Sequence, residues 1–380
     1  MIDNSMEALL ENGFTRRMAQ EYLDKFESER ESGLFDPDFM EWAHARGFYA
    51  QSASTYGLTE DNYRDYLSDY EIDRIWPLND WQRIWINDKL TLGYMLAGTE
   101  FESLLPEYYY YTAADRLVPL YNSGFRDGIE GFCEVMREKG EFACKPCNGS
   151  LAAGFHLLAF ADGTYHVDGV ASDEAGVAAF VDEHPNFIFQ EFLRPNAEMA
   201  KIDPLIHTLR IVMTNTTGTN PTTISSYLRF GIGKDKSGVT ANYAPPTAGD
   251  IGAYNLRFDI DTGWFGDGVI VYAAKNVPSP RHPDSGVLAE GTIEEWPEVE
   301  ETLKRLALRL GPVKYMGFDL GFTDKGVKLM EINSHPGVEY VQLHTPLIAD
   351  ERAGAYYRAE IAKIDAMTPE QKRRRNGIVH

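Results

Sequence analysis

Residues 314–337 read KYMGFDLGFTDKGVKLMEINSHPG, and this stretch decides how the chain folds. Two alternating runs, YMGFDLGF and VKLMEIN, flank a turn made from Thr323, Asp324, Lys325 and Gly326. A three-residue loop with Gly326 in the left-handed position closes such a hairpin. In that register Asp319 lies directly opposite Glu331, with Cβ atoms roughly 5 Å apart on one face. Asn333 is two residues past Glu331 and shares its face. Gly317 and Gly321 flank Asp319 there and are expected to leave room for a ligand. Phe318, Leu320, Met330 and Ile332 fall on the opposite face and are expected to pack the core. Facing carboxylates are destabilising unless a cation lies between them. Two carboxylates and an amide oxygen are hard ligands that suit magnesium. A register slipped by one would instead set Asp319 against Met330. In a chain with 58 Asp and Glu residues, the spacing alone does not separate a metal site from an acidic solvent face.

Upstream, residues 142–160 read FACKPCNGSLAAGFHLLAF: strand, Lys-Pro, turn, strand. Lys145 ends the first strand. Asn148, Gly149, Ser150, Ala152, Ala153 and Gly154 are small or turn-prone, so backbone N–H groups there can approach phosphate oxygens. Lys145 adds a point charge. No Gly-Lys-Ser/Thr opens a helix, so this is not a Walker loop. An ordinary hairpin with a surface lysine fits the same residues. Residues 186–193, NFIFQEFL, and 207–215, HTLRIVMTN, are further strands. Alternation puts Arg210 on one face with Thr208 and Val212, and Leu209, Ile211 and Met213 on the core side. A salt bridge would account for Arg210 as well as a ligand does.

The first 70 residues read as helices with apolar residues at helical spacing, and residues 59–78 as another helix ended by Pro77. Residues 128–140 and 296–311 are amphipathic helices between strands, and 348–367 a C-terminal helix. The KRRR run at 372–375 reads as a solvated tail. With 43% hydrophobic residues the chain can bury a large core. Its net charge of −22 repels phosphate backbones and argues against nucleic acid. Cys133, Cys144 and Cys147 do not form a disulfide framework. The absence of a basic start, an apolar leader or a membrane-length run predicts a cytoplasmic protein with no membrane span. The expected class is α+β with a helical N-terminal extension.

The order of these segments carries a resemblance. A lysine with a small-residue loop, IFQEFL, HTLRIVMTN and a hairpin ending Glu-x-Asn together resemble the ATP-grasp superfamily of carboxylate–amine ligases. HTLRIVMTN, RHPDSG and the hairpin resemble its sugar-transfer-associated subgroup, over roughly residues 85–345. The resemblance implies an ATP-grasp fold: a helical region 1–85, two α+β lobes sandwiching ATP at 86–190 and 191–345, and a C-terminal helix and tail at 346–380. It implies ATP and Mg2+ as cofactors. Lys89 and Lys145 match the nucleotide-binding lysines, and Ser150 belongs to the loop over the phosphates. Gln190, Glu191, Phe192 and Leu193 match the adenine hinge, Glu198 the ribose partner, and Met330 a residue of the adenine pocket. Arg210 and Lys145 match the groups that act on the transferring phosphoryl. Asp319, Glu331 and Asn333 match the metal ligands. His282, Asp284 and Gly286 read as a turn without chemistry. The activity implied is amide formation through an acyl phosphate, from small-molecule carboxylate and amine substrates, on a sugar- or amino-acid-derived compound. A kinase on the same scaffold and a non-catalytic nucleotide-binding protein of polysaccharide assembly are the alternatives. Tyr108 to Tyr111 and residues 240–268 are expected to shape the acceptor pocket.

Overall fold

The computed structural model describes residues 2–149, 154–233 and 251–379. Strands with alternating polarity assemble into two antiparallel sheets. The first holds β1 (Tyr108–Thr112), β2 (Leu117–Pro119), β3 (Glu141–Pro146), β4 (His156–Ala161), β5 (Thr164–Val167), β6 (Val170–Ser172) and β7 (Phe187–Glu191), in the order β2-β1-β7-β3-β4-β5-β6. The second holds β8 (Thr208–Thr214), β9 (Thr222–Phe230), β10 (Ile251–Phe258), β11 (Trp264–Tyr272), β12 (Asn276–Pro278), β13 (Gly291–Thr292), β14 (Tyr315–Thr323) and β15 (Gly326–Asn333). Its order is β12-β11-β10-β9-β8-β14-β15, with β13 beside β11.

Alternation decides what each face meets. In the first sheet Phe142, Cys144 and Phe189 pack with Phe132 and Met136 of helix Gly128–Lys139 and Phe180 of helix Glu174–Glu183. Ala143, Lys145 and Gln190 point the other way, into a cleft. In the second sheet Leu209, Ile211 and Met213 pack under Leu303, Leu306 and Leu310 of the segment containing helix Trp296–Arg309. The opposite face carries Val212, Tyr227 and Tyr315, and helices from both ends of the chain cover part of it through Leu67, Ile72, Ile75, Tyr357 and Ile364. The N-terminal helices thus act as a lid on the second sheet. Ile86, Leu92, Leu96 and Phe101 join a core cluster that holds Tyr108, Leu120 and Ile188 as well as Leu209, Ile211 and Leu320 of the second sheet.

Two local expectations change. Residues 59–78 do not form one helix. The Ser68 hydroxyl accepts from the Glu71 N–H at 3.2 Å and starts the helix Asp69–Ile75 only there. The basic run is not a solvated tail either. Thr368 and Gln371 form a reciprocal cap that starts helix Pro369–Asn376. Lys372 donates to the Glu11 carbonyl at 2.8 Å, and Arg375 donates to the carbonyls of Gly13 and Arg74 at 3.0 Å each and to that of Trp76. Burial and the neighbouring Arg74 lower the Arg375 guanidinium to about 10. No helix among the described residues is long and apolar enough to cross a membrane.

Arg375→Ala leaves three carbonyls without their donor. It is expected to lower unfolding stability by about 1–3 kcal/mol, read as a lower urea midpoint with unchanged slope. Arg373→Ala, on the exposed side of the same helix, serves as the control and should stay within about 0.5 kcal/mol.

Candidate functional site

The β14–β15 hairpin combines both registers that the sequence allows. Near the turn, Thr323 pairs with Gly326, Gly321 with Lys328 and Leu320 with Leu329. Continued, that register would set Asp319 against Met330. A β-bulge intervenes, and beyond it Asp319 pairs with Glu331, Phe318 with Ile332 and Gly317 with Asn333. Gly326 has φ of +93°, the conformation the turn requires. A bulge sets two residues against one and re-aims a side chain. Met330 is the residue re-aimed. It lines the cleft together with Glu331, where simple alternation had placed it in the core.

The pairing extends across four strands. Tyr227 of β9 pairs with Arg210 of β8, Arg210 with Asp319 of β14, and Asp319 with Glu331 of β15. One row of the sheet therefore reads Tyr227, Arg210, Asp319, Glu331. The Arg210 guanidinium grips Asp319 through both carboxylate oxygens, with Nη2 to Oδ2 at 2.9 Å. Both side chains are buried. Glu331 receives the Lys89 ammonium at 3.4 Å and the Asn333 amide at 3.2 Å. Burial works against ionisation of Glu331, but Lys89, Lys145, Arg210 and the Asn333 hydrogen bond outweigh it and hold the carboxyl at about 2. Burial and the Glu331 charge push Asp319 up, against the pull of Arg210.

The facing wall comes from the first sheet. Lys145 at the end of β3 faces Glu331 and Lys89, and no hydrogen bond or ion pair to its ammonium is present among the described residues. Burial and Lys89 lower it to about 8. Lys89 follows Asp88, whose carboxylate caps helix Lys89–Leu96 by accepting from the Thr91 N–H at 2.7 Å. Lys89 is buried and also donates to the Gly149 carbonyl at 3.3 Å. Gln190, Glu191, Phe192 and Leu193 form the edge where the chain passes between sheets. Together these residues line a cavity of about 470 Å³, within the range of small-molecule sites.

A family profile described as "Sugar-transfer associated ATP-grasp" matches residues 126–352, more than half of the chain. The chain belongs to that family. Among solved structures, D-alanine–D-alanine ligase from Bacillus anthracis is similar at 13% identity and a TM-score of 0.36, over 78% of this chain and 70% of that one. D-alanyl-alanine synthetase A from Vibrio cholerae is similar at 11% identity and 0.40, over 73% and 65%. No curated protein matches the sequence. Superpositions this loose leave the family match as the deciding observation.

The cavity of this ATP-grasp chain gathers Lys89, Lys145, Gln190, Glu191, Phe192, Leu193, Arg210, Asp319, Met330, Glu331 and Asn333. Glu198 does not join them. It sits exposed on helix Ala197–Ile202 and pairs with Lys201 at 2.6 Å. Ser150 lies outside the described residues, as do most of the small-residue loop and residues 240–250. None of Tyr108 to Tyr111, which form β1, lines the cavity, and neither does the 253–268 stretch. Gly317 and Gly321 leave room for protein rather than ligand. A Cβ on Gly317 would meet Pro336 at 2.5 Å, and one on Gly321 would meet Ile206 at 2.8 Å. Cys144 and Cys147 are free and buried, and the Cys147 carbonyl accepts from the Lys89 N–H at 3.0 Å. His282 is buried and meets the Gly231 carbonyl at 3.0 Å, as a turn residue should.

Two supports escaped sequence reasoning. Buried Asn79 clamps both ends of the hairpin: its amide donates to the Tyr315 carbonyl at 2.7 Å and the Ser334 carbonyl at 3.2 Å, and its oxygen accepts from Lys314 and Tyr315. Lys325, in the hairpin turn, pairs with buried Glu191 and so ties the second sheet to the crossover edge. Neither carries a local signal, since each is separated from its partner by over a hundred residues.

The donor set fits a divalent cation. Asp319 and Glu331 face each other with their titrations driven apart, which a cation between them would relieve. The Asn333 oxygen has no partner among the described residues. No cluster of three or more His, Cys, Asp or Glu suited to a metal occurs among those residues, so the amide is needed to complete the set. The buried Gln190 oxygen and the Lys145 ammonium, both without a partner among the described residues, fit a nucleotide on the other wall.

Asp319→Ala removes the partner of a buried guanidinium and is expected to cost about 3–5 kcal/mol of stability, measured by chemical unfolding. Lys145, lowered to about 8, carries far more neutral amine near pH 8 than an ordinary lysine. Limiting acetic anhydride at pH 8 should acetylate it ahead of surface lysines, and Mg-ATP should slow that labelling. Peptide mass mapping reads both effects.

Proposed function

We propose that this ATP-grasp chain is an ATP-dependent carboxylate–amine ligase acting on a sugar- or amino-acid-derived carboxylic acid. The reading rests on one observation: the ammonium groups of Lys89 and Lys145 and the guanidinium of Arg210 converge on the Asp319–Glu331–Asn333 set within a single cavity. Gln190 to Leu193 and Met330 would receive the base of the nucleotide. Lys89, Lys145 and Arg210 would balance the charge of the phosphoryl group as it transfers. Magnesium, held by Asp319, Glu331 and Asn333, would supply further charge neutralisation on the phosphates.

In the first step a substrate carboxylate oxygen bonds to the γ-phosphorus, and the bond from that phosphorus to the β–γ bridging oxygen breaks, releasing ADP. In the second, an amine nitrogen bonds to the acyl carbon. The bond from that carbon to the phosphate oxygen breaks, and phosphate leaves with the electron pair while the nitrogen loses its proton. The side chains align the groups and stabilise charge, and none becomes covalently attached. Arg210, locked onto Asp319, enters as a fixed cation that does not reorganise.

An ADP-release screen over amino acids, amines and uronic acids tests this. Lys145→Ala and Glu331→Gln are each expected to lower turnover about 10²–10³-fold with the fold intact. Free phosphate and an amide should appear together by mass spectrometry. Wild-type turnover in Lys145→Ala would refute the site, and a phosphoester without free phosphate would convert the reading to a kinase.

A further inference from the structure

We propose that the end of the cavity beyond Asn333, where Glu339 and His335 line the wall, holds the ammonium group of the amine substrate. This rests on the ligase reading. Four carboxylates among the described residues line the cavity: Glu191, Asp319, Glu331 and Glu339. Three are engaged, by Lys325, Arg210 and Lys89 respectively. Glu339 is exposed, lines the cavity and has no hydrogen bond or ion pair among the described residues. The ring of His335 has no hydrogen bond there either, and its Nδ1 is buried without a partner.

The backbone makes this arrangement possible. A Cβ on Gly337 would lie 2.3 Å from Glu339 Oε2, so glycine lets the carboxylate fold back against the wall. Lys89, Lys145 and Arg210 line the cavity near Glu331, and Arg229 also lines it, with its guanidinium 5.9 Å from the Tyr340 ring. Glu339 is the lining carboxylate without an ion pair among the described residues, so it is the one left to receive an ammonium group. The acyl phosphate forms beside Arg210, so the amine must approach its carbon from the side away from the nucleotide. The Tyr227 and Tyr340 rings, 5.6 Å apart, line the same cavity as Glu339.

The test uses the full chain with Mg-ADP and two probes, glycinamide and N-acetylglycinamide, in saturation-transfer NMR titrations. Glycinamide should bind and N-acetylglycinamide should not. Glu339→Gln should weaken glycinamide at least tenfold while Mg-ADP affinity stays within twofold. Gly337→Ala, which displaces the carboxylate without removing it, should weaken glycinamide in the same direction. Unchanged glycinamide affinity in Glu339→Gln overturns the assignment, as does equal binding of both probes or a loss of Mg-ADP affinity that marks Glu339 as a metal ligand. A wild-type chain that fails to bind Mg-ADP overturns the nucleotide reading and this assignment together. One that binds Mg-ADP without preferring glycinamide overturns the assignment alone.

Discussion

The bidentate contact between Arg210 and Asp319 is the interaction on which the rest of the site depends. It joins the adjacent strands β8 and β14 within one row, and the bulge at Met330 brings Glu331 of β15 into that row. A one-residue slip in a strand turns every side chain to the other face. Without the bulge, the spacing set at the turn would bring Met330 opposite Asp319 and remove Glu331 from the row. With it, the hairpin keeps a short closed turn and still presents Glu331, and Met330 gains a place on the cavity wall. Asn79 holds the far end of the hairpin through four hydrogen bonds, so the register is pinned at both ends.

The charge of the whole chain says little about this cavity. A net −22 is spread over a surface where salt screens each charge within about 10 Å. Inside the cleft the balance is local. Arg210, Lys89 and Lys145 stand against Asp319 and Glu331, and the three cations together hold the Glu331 carboxyl low despite its burial. Lys145 and Glu339 both line the cavity and make no ion pair among the described residues.

Burial by chain ends explains the helical extension. The second sheet is wide, and the face that carries the site is apolar further along at Val212, Ile224 and Tyr315. That surface needs cover, and the helices from both termini supply it, tied together by Arg375 and Asn376. Within the extension a single buried carboxylate, Glu29, accepts from the Ala50 and Gln51 N–H groups at 2.9 and 2.8 Å and meets His44 at 2.8 Å. It caps helix Ala50–Tyr56, whose own N-cap residue, Tyr49, makes no side-chain cap bond.

Local sequence determined much of this protein. Alternation located β3, β7, β8, β14 and β15 and identified the core-facing side of β8, because a strand's side-chain period is fixed by its backbone; the pairing of Asp319 with Glu331, expected from the loop, is reached in the fold through the bulge. Tertiary structure alone decided what local periodicity does not encode. The bulge is a mismatch between two strands, so Met330 could not be placed from its own strand. Glu198 lies close in sequence to the hinge yet faces solvent, because a helix start turns it away. The engagement of Glu191 by Lys325, the clamp by Asn79 and the docking of the basic helix each join distant segments, and such contacts exist only once the chain has closed.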